Sequence, residues 1–151
     1  MNKGSKGKHL FISVKPEFAN KIISQKKKIE LRKVKPSVEV GSYVIIYASS
    51  PIKSILGFGV VQEIIETTPK QMWKKYSSML GIDKIRFDDY YNGTEKAIGI
   101  KIKNTKQIPP IHLKDLRNDT PNFHPPQIYR YASKLIEQGK DKKGNFIKIY
   151  F

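Results

Sequence analysis

The sequence predicts an α+β fold: a small, mostly antiparallel sheet or barrel with helices set over its mouth. Three observations carry this. Short stretches of alternating or continuous β-branched residues recur along the chain. Helical patterns opened by proline or a capping side chain lie between them. The resulting order, β-α-β-β-β-α-α-β-α, lacks the regular alternation of a doubly wound parallel sheet. At 151 residues the chain has the size of one domain with its own core.

Residues 1–8 hold three lysines and two glycines and no apolar side chain after Met1, and read as a disordered basic arm. His9 to Lys15 alternates, with Leu10, Ile12 and Val14 on one side, and predicts a strand. Pro16 ends it and opens a helix in which Phe18, Ile22 and Ile23 repeat at helical spacing, fading near Gln25. Ile29 and Leu31 then share one face of a short strand, with Glu30 and Arg32 on the other. Val34 to Val40 connects, and Gly41-Ser42 turns. Tyr43 to Ala48 reads as a buried strand, since Val44, Ile45 and Ile46 are consecutive and β-branched. Ser49-Ser50-Pro51 breaks it. Ser54 to Glu66 is a long strand in which Gly57 and Gly59 permit a bulge or a close backbone approach.

Thr68 caps a helix with Pro69 at its first position, running to about Leu80, where Gly81 ends it. Asp83 caps a second helix, closed by Asn92-Gly93. Ala97 to Ile102 alternates as a strand, and Pro109-Pro110 keeps the chain extended. Leu113 to Arg117 suggests one helical turn. Ile128, Tyr131 and Leu135 predict a helix over Gln127–Gln138. Residues 139–144 are polar and charged, and Asn145 to Phe151 is either a last strand or a tail.

Twenty-nine Lys and Arg against 13 Asp and Glu give a net charge of +16, with no cysteine. A disulfide scaffold, a zinc ribbon and a thiol nucleophile are therefore excluded. No apolar run approaches the ~20 residues of a membrane helix, and the N-terminus has no apolar signal segment. The expectation is a soluble, cytoplasmic protein without membrane attachment. Residues 1–40 carry 11 basic and three acidic side chains, half of the whole excess. Such a balance favours polyanions, RNA or DNA, through counterion release. A lysine-rich coding bias is the alternative source of the charge.

The most informative local pattern is Lys27-x-x-Glu30-x-Arg32-Lys33. On a strand, Glu30 and Arg32 point the same way about 7 Å apart. A carboxylate held beside two cations orients both. The same triplet also fits an exposed strand face with a solvated ion pair. His9, His112 and His124 lack any metal-ligand spacing, so neither a metal nor a cofactor is expected. Asp88-Asp89 reads as a solvated helix face. Ser49 and Ser50 are either hydroxyl donors to a phosphate or parts of a plain turn.

Around Lys27–Arg32 the chain resembles the ASCH family of the PUA-like superfamily, whose GxKxxExR signature follows the first helix. Here the stretch is Gln25-Lys26-Lys27-Lys28-Ile29-Glu30-Leu31-Arg32, with Gln25 where the signature has glycine. Ile12-Ser13-Val14-Lys15-Pro16, Tyr47-Ala48-Ser49-Ser50-Pro51, Gly57-Phe58-Gly59 and Pro125 to Tyr131 are similar to family segments too. The resemblance implies a PUA-like mixed or antiparallel β-pseudo-barrel over residues 9–138, with helices flanking a cleft, and a charged tail at 139–151. It implies nucleic-acid ligands, RNA first, with a modified or flipped base as one form. Lys27 and Arg32 would contact phosphate or base edges, with Glu30 accepting from an exocyclic amine or positioning the two cations. Lys15, Lys33 and Arg130 would rim the cleft. Ser49 and Ser50 would meet a phosphate oxygen, and Gln127 would lie in the same segment as Arg130. Tyr47, Phe58 and Tyr131 are candidate aromatic walls, and equally candidate core residues.

Two other readings follow. As an ASCH-type enzyme, a ribonuclease or a nucleoside amidohydrolase, the chain would use Lys27 as electrophile or base and Glu30 as general acid/base. The family's acetylcytidine amidohydrolases use a Lys, a Thr nucleophile and a Glu. Lys27 matches, but the Thr position holds Glu30. Other family members are metal-dependent ribonucleases. The last reading is an adaptor whose basic surface docks an acidic protein.

Overall fold

The structure is a computed structural model that describes residues 8–138 and 147–151. In chain order its elements are β1 (His9–Val14), α1 (Pro16–Ile23), β2 (Ile29–Arg32), β3 (Tyr43–Ala48), β4 (Ser54–Thr67), α2 (Pro69–Tyr76), α3 (Lys84–Tyr90), β5 (Ala97–His112), α4 (Leu113–Asp119), β6 (Arg130–Ala132), β7 (Lys134–Glu137) and β8 (Ile147–Tyr150). Six strands form one mixed sheet in the order β2-β5-β4-β3-β1-β6, and β7 pairs with β8 in a separate ribbon. Only the β1–β3 pair is parallel. The α+β class is as expected.

Local chemistry explains the helix starts. The Thr68 hydroxyl accepts from the Gln71 amide at 3.2 Å, and the Asp83 carboxylate accepts from the Arg86 amide at 2.8 Å. Prolines 16 and 69 fill first-turn positions whose amides would have no partner. A single 3-10 turn, Ser77–Met79, and Gly81 with φ +59° close the α2 segment.

The core has two faces and an annex. Phe11, Ile45, Tyr47, Phe58 and Phe123 pack on one side of the sheet. Leu10, Ile12, Val44, Ile46 and Ile100 pack on the other, under Ala19 and Ile22 of α1. Val44-Ile45-Ile46 is buried on both faces because β3 is central. The annex gathers Ile29, Leu31, Ile65, Met72, Phe87 and Tyr91 beneath α2 and α3.

Two expectations need correction. The helix expected over Gln127–Gln138 is β6 and β7 instead. Ile128, Tyr131 and Leu135 do recur at helical spacing, but Ile128 is exposed. Without β6, the outer edge of β1 would present unpaired amides. Arg130, Tyr131 and Ala132 pair with Phe11, Leu10 and His9 and satisfy it. The strand expected at Ala97–Ile102 runs on to His112. It passes through Pro109-Pro110 because these residues fall in an irregular stretch between the Gln107–Gly57 and Ile111–Ile55 pairs, where no amide is needed. The basic arm expected at residues 1–8 falls, but for Lys8, outside the described residues, as does the stretch 139–144.

Gly57 and Gly59 do sit at close approaches. A Cβ on Gly57 would meet the Lys106 carbonyl and lie 2.6 Å from Ile23 Cδ1. The register between β4 and β5 shifts on either side of Gly57-Phe58. Gly57→Ala is expected to destabilise the fold by about 1–3 kcal/mol, as overpacking does. The urea midpoint would fall at unchanged slope.

Candidate functional site

The site begins with the turn after α1. Gln25 takes φ +65°, a left-handed conformation that glycine adopts without cost. This accounts for the glycine that the signature has at this position. The amides of Lys26 and Lys27 both donate to the Lys21 carbonyl, and the Lys28 amide donates to Met79. The chain is thereby turned so that Lys27 points inward beneath the α2–α3 connection.

Lys27 is 3 % exposed. Its ammonium donates to the Leu80 carbonyl at 2.6 Å and lies 3.9 Å from Glu30 Oε1. Gly81 makes room for it: a Cβ there would lie 2.6 Å from Lys27 Cβ. Burial pulls the Lys27 pKa below its ordinary value, and the Glu30 carboxylate opposes that shift.

Glu30 and Arg32 leave β2 on the same side, as the strand period requires. Arg32 Nε donates to Glu30 Oε2 at 2.9 Å, and the remaining guanidinium nitrogens donate to the carbonyls of Ile128 at 3.1 Å and Ser13 at 3.2 Å. The guanidinium lies 5.5 Å from the Tyr129 ring. Glu30 thus has a cation on each oxygen, and its geometry is held from both sides.

These groups form the floor of a cleft of about 350 Å³, within the usual range of ligand pockets. The end of β1 (Ser13, Lys15) and Phe18 line one side. Ile82, Arg86, Asp89 and Tyr90 line the other. Arg86 clamps this second wall to α1 through a bidentate contact with Glu17 at 2.9 and 3.0 Å, and also holds Asp83. Hydrogen bonds from Arg86, then Lys21, lower the Glu17 pKa to about 2. Phe18 has Lys27, Arg86 and Lys21 within 5.1 to 5.8 Å of its ring. Burial pushes the Tyr90 hydroxyl pKa up, and Lys33 lies 4.7 Å from its ring. Among the described residues no group of three or more His, Asp or Glu side chains gathers as metal ligands do.

The structure brings together Lys15, Lys27, Glu30 and Arg32, with Lys33 at the rim. It separates the rest. Tyr47 and Phe58, expected as aromatic walls, lie in the core on the opposite face of the sheet at 1 % and 4 % exposure. Arg130, expected at the rim, points to that same face and stacks on Phe123 and Phe151 at 4.6 Å each. Strand alternation puts Tyr131 on the other side, where its hydroxyl accepts from the Ser37 amide rather than lining the cleft. Gln127 is exposed outside the cleft. Ser49 and Ser50 form the turn after β3, the Ser49 amide donating to Val14. Sequence reasoning missed Phe18, Arg86, Asp89 and Tyr90. The signal was present: Arg86 and Asp89-Tyr90 stand three and four residues apart, the spacing of one face of the helix that Asp83 caps.

Comparison with known proteins bears on the whole arrangement. The family model of the ASCH domain matches residues 12–110. A curated relative from Zymomonas mobilis, named an ASCH domain-containing ribonuclease, is 34% identical over 127 residues, covering 84% of this chain and 86% of the relative. The crystal structure of ASCH from Zymomonas mobilis superposes with a TM-score of 0.79 at 33% identity, covering 82% of this chain and 86% of that one. A variant of that protein gives the same TM-score at 34% identity over 83% and 88% of the two chains. The signature, its place after the first helix, the mixed sheet and these matches agree, and the chain belongs to the ASCH domain family.

Proposed function

We propose that this chain binds RNA in the cleft, with Lys27 and Arg32 presenting positive charge at its floor. One observation carries the reading: Lys27, Glu30 and Arg32 converge, mutually paired, at the base of a pocket in a protein of net charge +16. Lys15 and Lys33 supply the outer cationic rim, where phosphates of an extended strand would lie. Phe18 and Tyr90 offer aromatic surface for unpaired bases, a mode that suits single strands.

A second reading, cleavage of the bound RNA, is favoured by the ribonuclease name of the Zymomonas mobilis relative. A phosphodiester can break by attack of its own ribose 2′-oxygen. The O2′–P bond forms, the P–O5′ bond breaks, and protons leave the 2′-hydroxyl and reach the 5′-oxygen. In this reading Glu30 accepts the first proton and the Lys27 ammonium donates the second.

Two measurements test these readings, and a third tests the burial of Lys27. Affinity for a single-stranded RNA should fall steeply with salt. Removing both rim charges by Lys15→Ala plus Lys33→Ala should reduce the log–log slope by about 1.4. A flat response in the wild type would overturn the binding reading. For cleavage, Lys27→Met should lower the rate on labelled RNA by about 10²-fold or more. Turnover unchanged in that variant would remove Lys27 from the chemistry.

The third concerns pH. The folded pKa of Lys27 lies below its unfolded value near 10.5. Between the two the unfolded chain holds more protons, so stability rises with pH across that window and is lost as pH falls through the folded pKa. The stability of the wild type relative to Lys27→Met should therefore increase as pH rises through the alkaline range toward the unfolded pKa near 10.5, read by urea unfolding.

A further inference from the structure

The geometry points to Asp89 as the residue by which the cleft selects its base, accepting two adjacent N–H donors from the edge of a guanine. This rests on the RNA-binding reading above and adds the base identity to it.

The charges on α3 are unevenly committed. The neighbouring charges on this helix are committed: Lys84 holds Asp88 at 2.7 Å, and Arg86 holds Glu17 and Asp83. Asp89 lines the cleft, is exposed, and has no hydrogen bond or ion pair on its carboxylate among the described residues. Glu30, the other cleft carboxylate, already has a cation on each oxygen. Asp89 is therefore the open anionic acceptor in an otherwise cationic pocket.

A free carboxylate in a site for a polyanion has a chemical consequence. It repels phosphate, and such like-charge juxtaposition is costly. The ligand group that meets Asp89 must be neutral and donate hydrogen bonds, which leaves the phosphates to the rim lysines Lys15 and Lys33 and turns a base or sugar edge to the carboxylate. A carboxylate offers two oxygens side by side and accepts in a bidentate manner. Among the four bases guanine alone presents two adjacent donors, N1–H and N2–H, on one edge. Adenine and cytosine present one amine beside an acceptor, and uracil presents one N–H between two acceptors. Tyr90, the next residue, places an aromatic ring beside this acceptor, where a base so held can stack.

The test uses four fluorescent twelve-nucleotide RNAs, a uridine background with a single central G, A, C or U, and the matching deoxy set. Anisotropy is read at low salt immediately after mixing, with wild type and Asp89→Asn. Asp89 is exposed, so this variant keeps the fold. The expected result is that wild type binds the G probe about tenfold more tightly than the U probe, within what a bidentate base contact supplies. Asp89→Asn should bring that ratio to about twofold or less, with affinity for the U probe unchanged or slightly raised. A G preference that survives Asp89→Asn overturns the inference, as does an equal loss on all four probes. If the substitution alters RNA-over-DNA preference but not base preference, the carboxylate meets a ribose hydroxyl, and the guanine assignment falls while RNA binding stands. Absence of salt-sensitive binding to any probe overturns the RNA reading and the inference with it.

Discussion

Arg32 is the tie on which the architecture of the cleft depends. The sheet ends at β2 on one side and β6 on the other, and no backbone ladder joins them. One guanidinium bridges that gap, reaching Ser13 in β1 and Ile128 just before β6 while still holding Glu30. Its planar fork allows three differently placed acceptors to be met at once, which a lysine cannot do. Tyr129 and Tyr91 reinforce the seam, their hydroxyls donating to the carbonyls of Val34 at 2.6 Å and Arg32 at 3.0 Å. The pocket floor is therefore also the closure of the fold, and structure and chemistry share the same residues.

Lys27 shows the cost of that arrangement. A buried ammonium is unfavourable unless paired and hydrogen-bonded. Here a carbonyl at the end of the 3-10 turn and one carboxylate oxygen meet it, and a glycine makes the room. Three successive carbonyls, those of Met79, Leu80 and Gly81, accept from the Lys28 amide, the Lys27 ammonium and the Lys21 ammonium. The α2–α3 segment thus acts as a cover for the signature lysine, and the Arg86–Glu17 clamp fixes that cover to α1. Surface ion pairs contribute little to stability singly. This one is bidentate and joins two cleft walls, so its effect is on the shape of the site.

Much of the fold was legible because strong local signals agreed with one another. Thr68-Pro69, Asp83, the β-branched run in β3 and the paired glycines of β4 each announced their role, and each took it. The 127–138 region was misread because Ile128, Tyr131 and Leu135 recur at helical spacing although the chain there forms two strands. What decided for strands was an unpaired edge of β1, a feature of the assembled sheet. The aromatic walls were misassigned for a related reason: strand alternation gives Tyr47 and Phe58 a face, but not which face the cleft occupies.

The sequence by itself determined the element order from β1 to β5, the caps, the excess of positive charge and the Lys27-Glu30-Arg32 triplet, because these depend on interactions within a few residues. Tertiary structure alone decided that the triplet lies at the floor of a pocket rather than on an open strand face. That outcome needs Leu80, Ser13 and Ile128, respectively 53, 19 and 96 residues away from the cations they receive. It also decided which cations remain free to meet a ligand. Arg86 and Arg130 count equally in the composition, yet one is spent on a clamp between cleft walls and the other on two aromatic rings of the opposite face. Net charge is additive along the chain, whereas its availability depends on partners that only folding supplies.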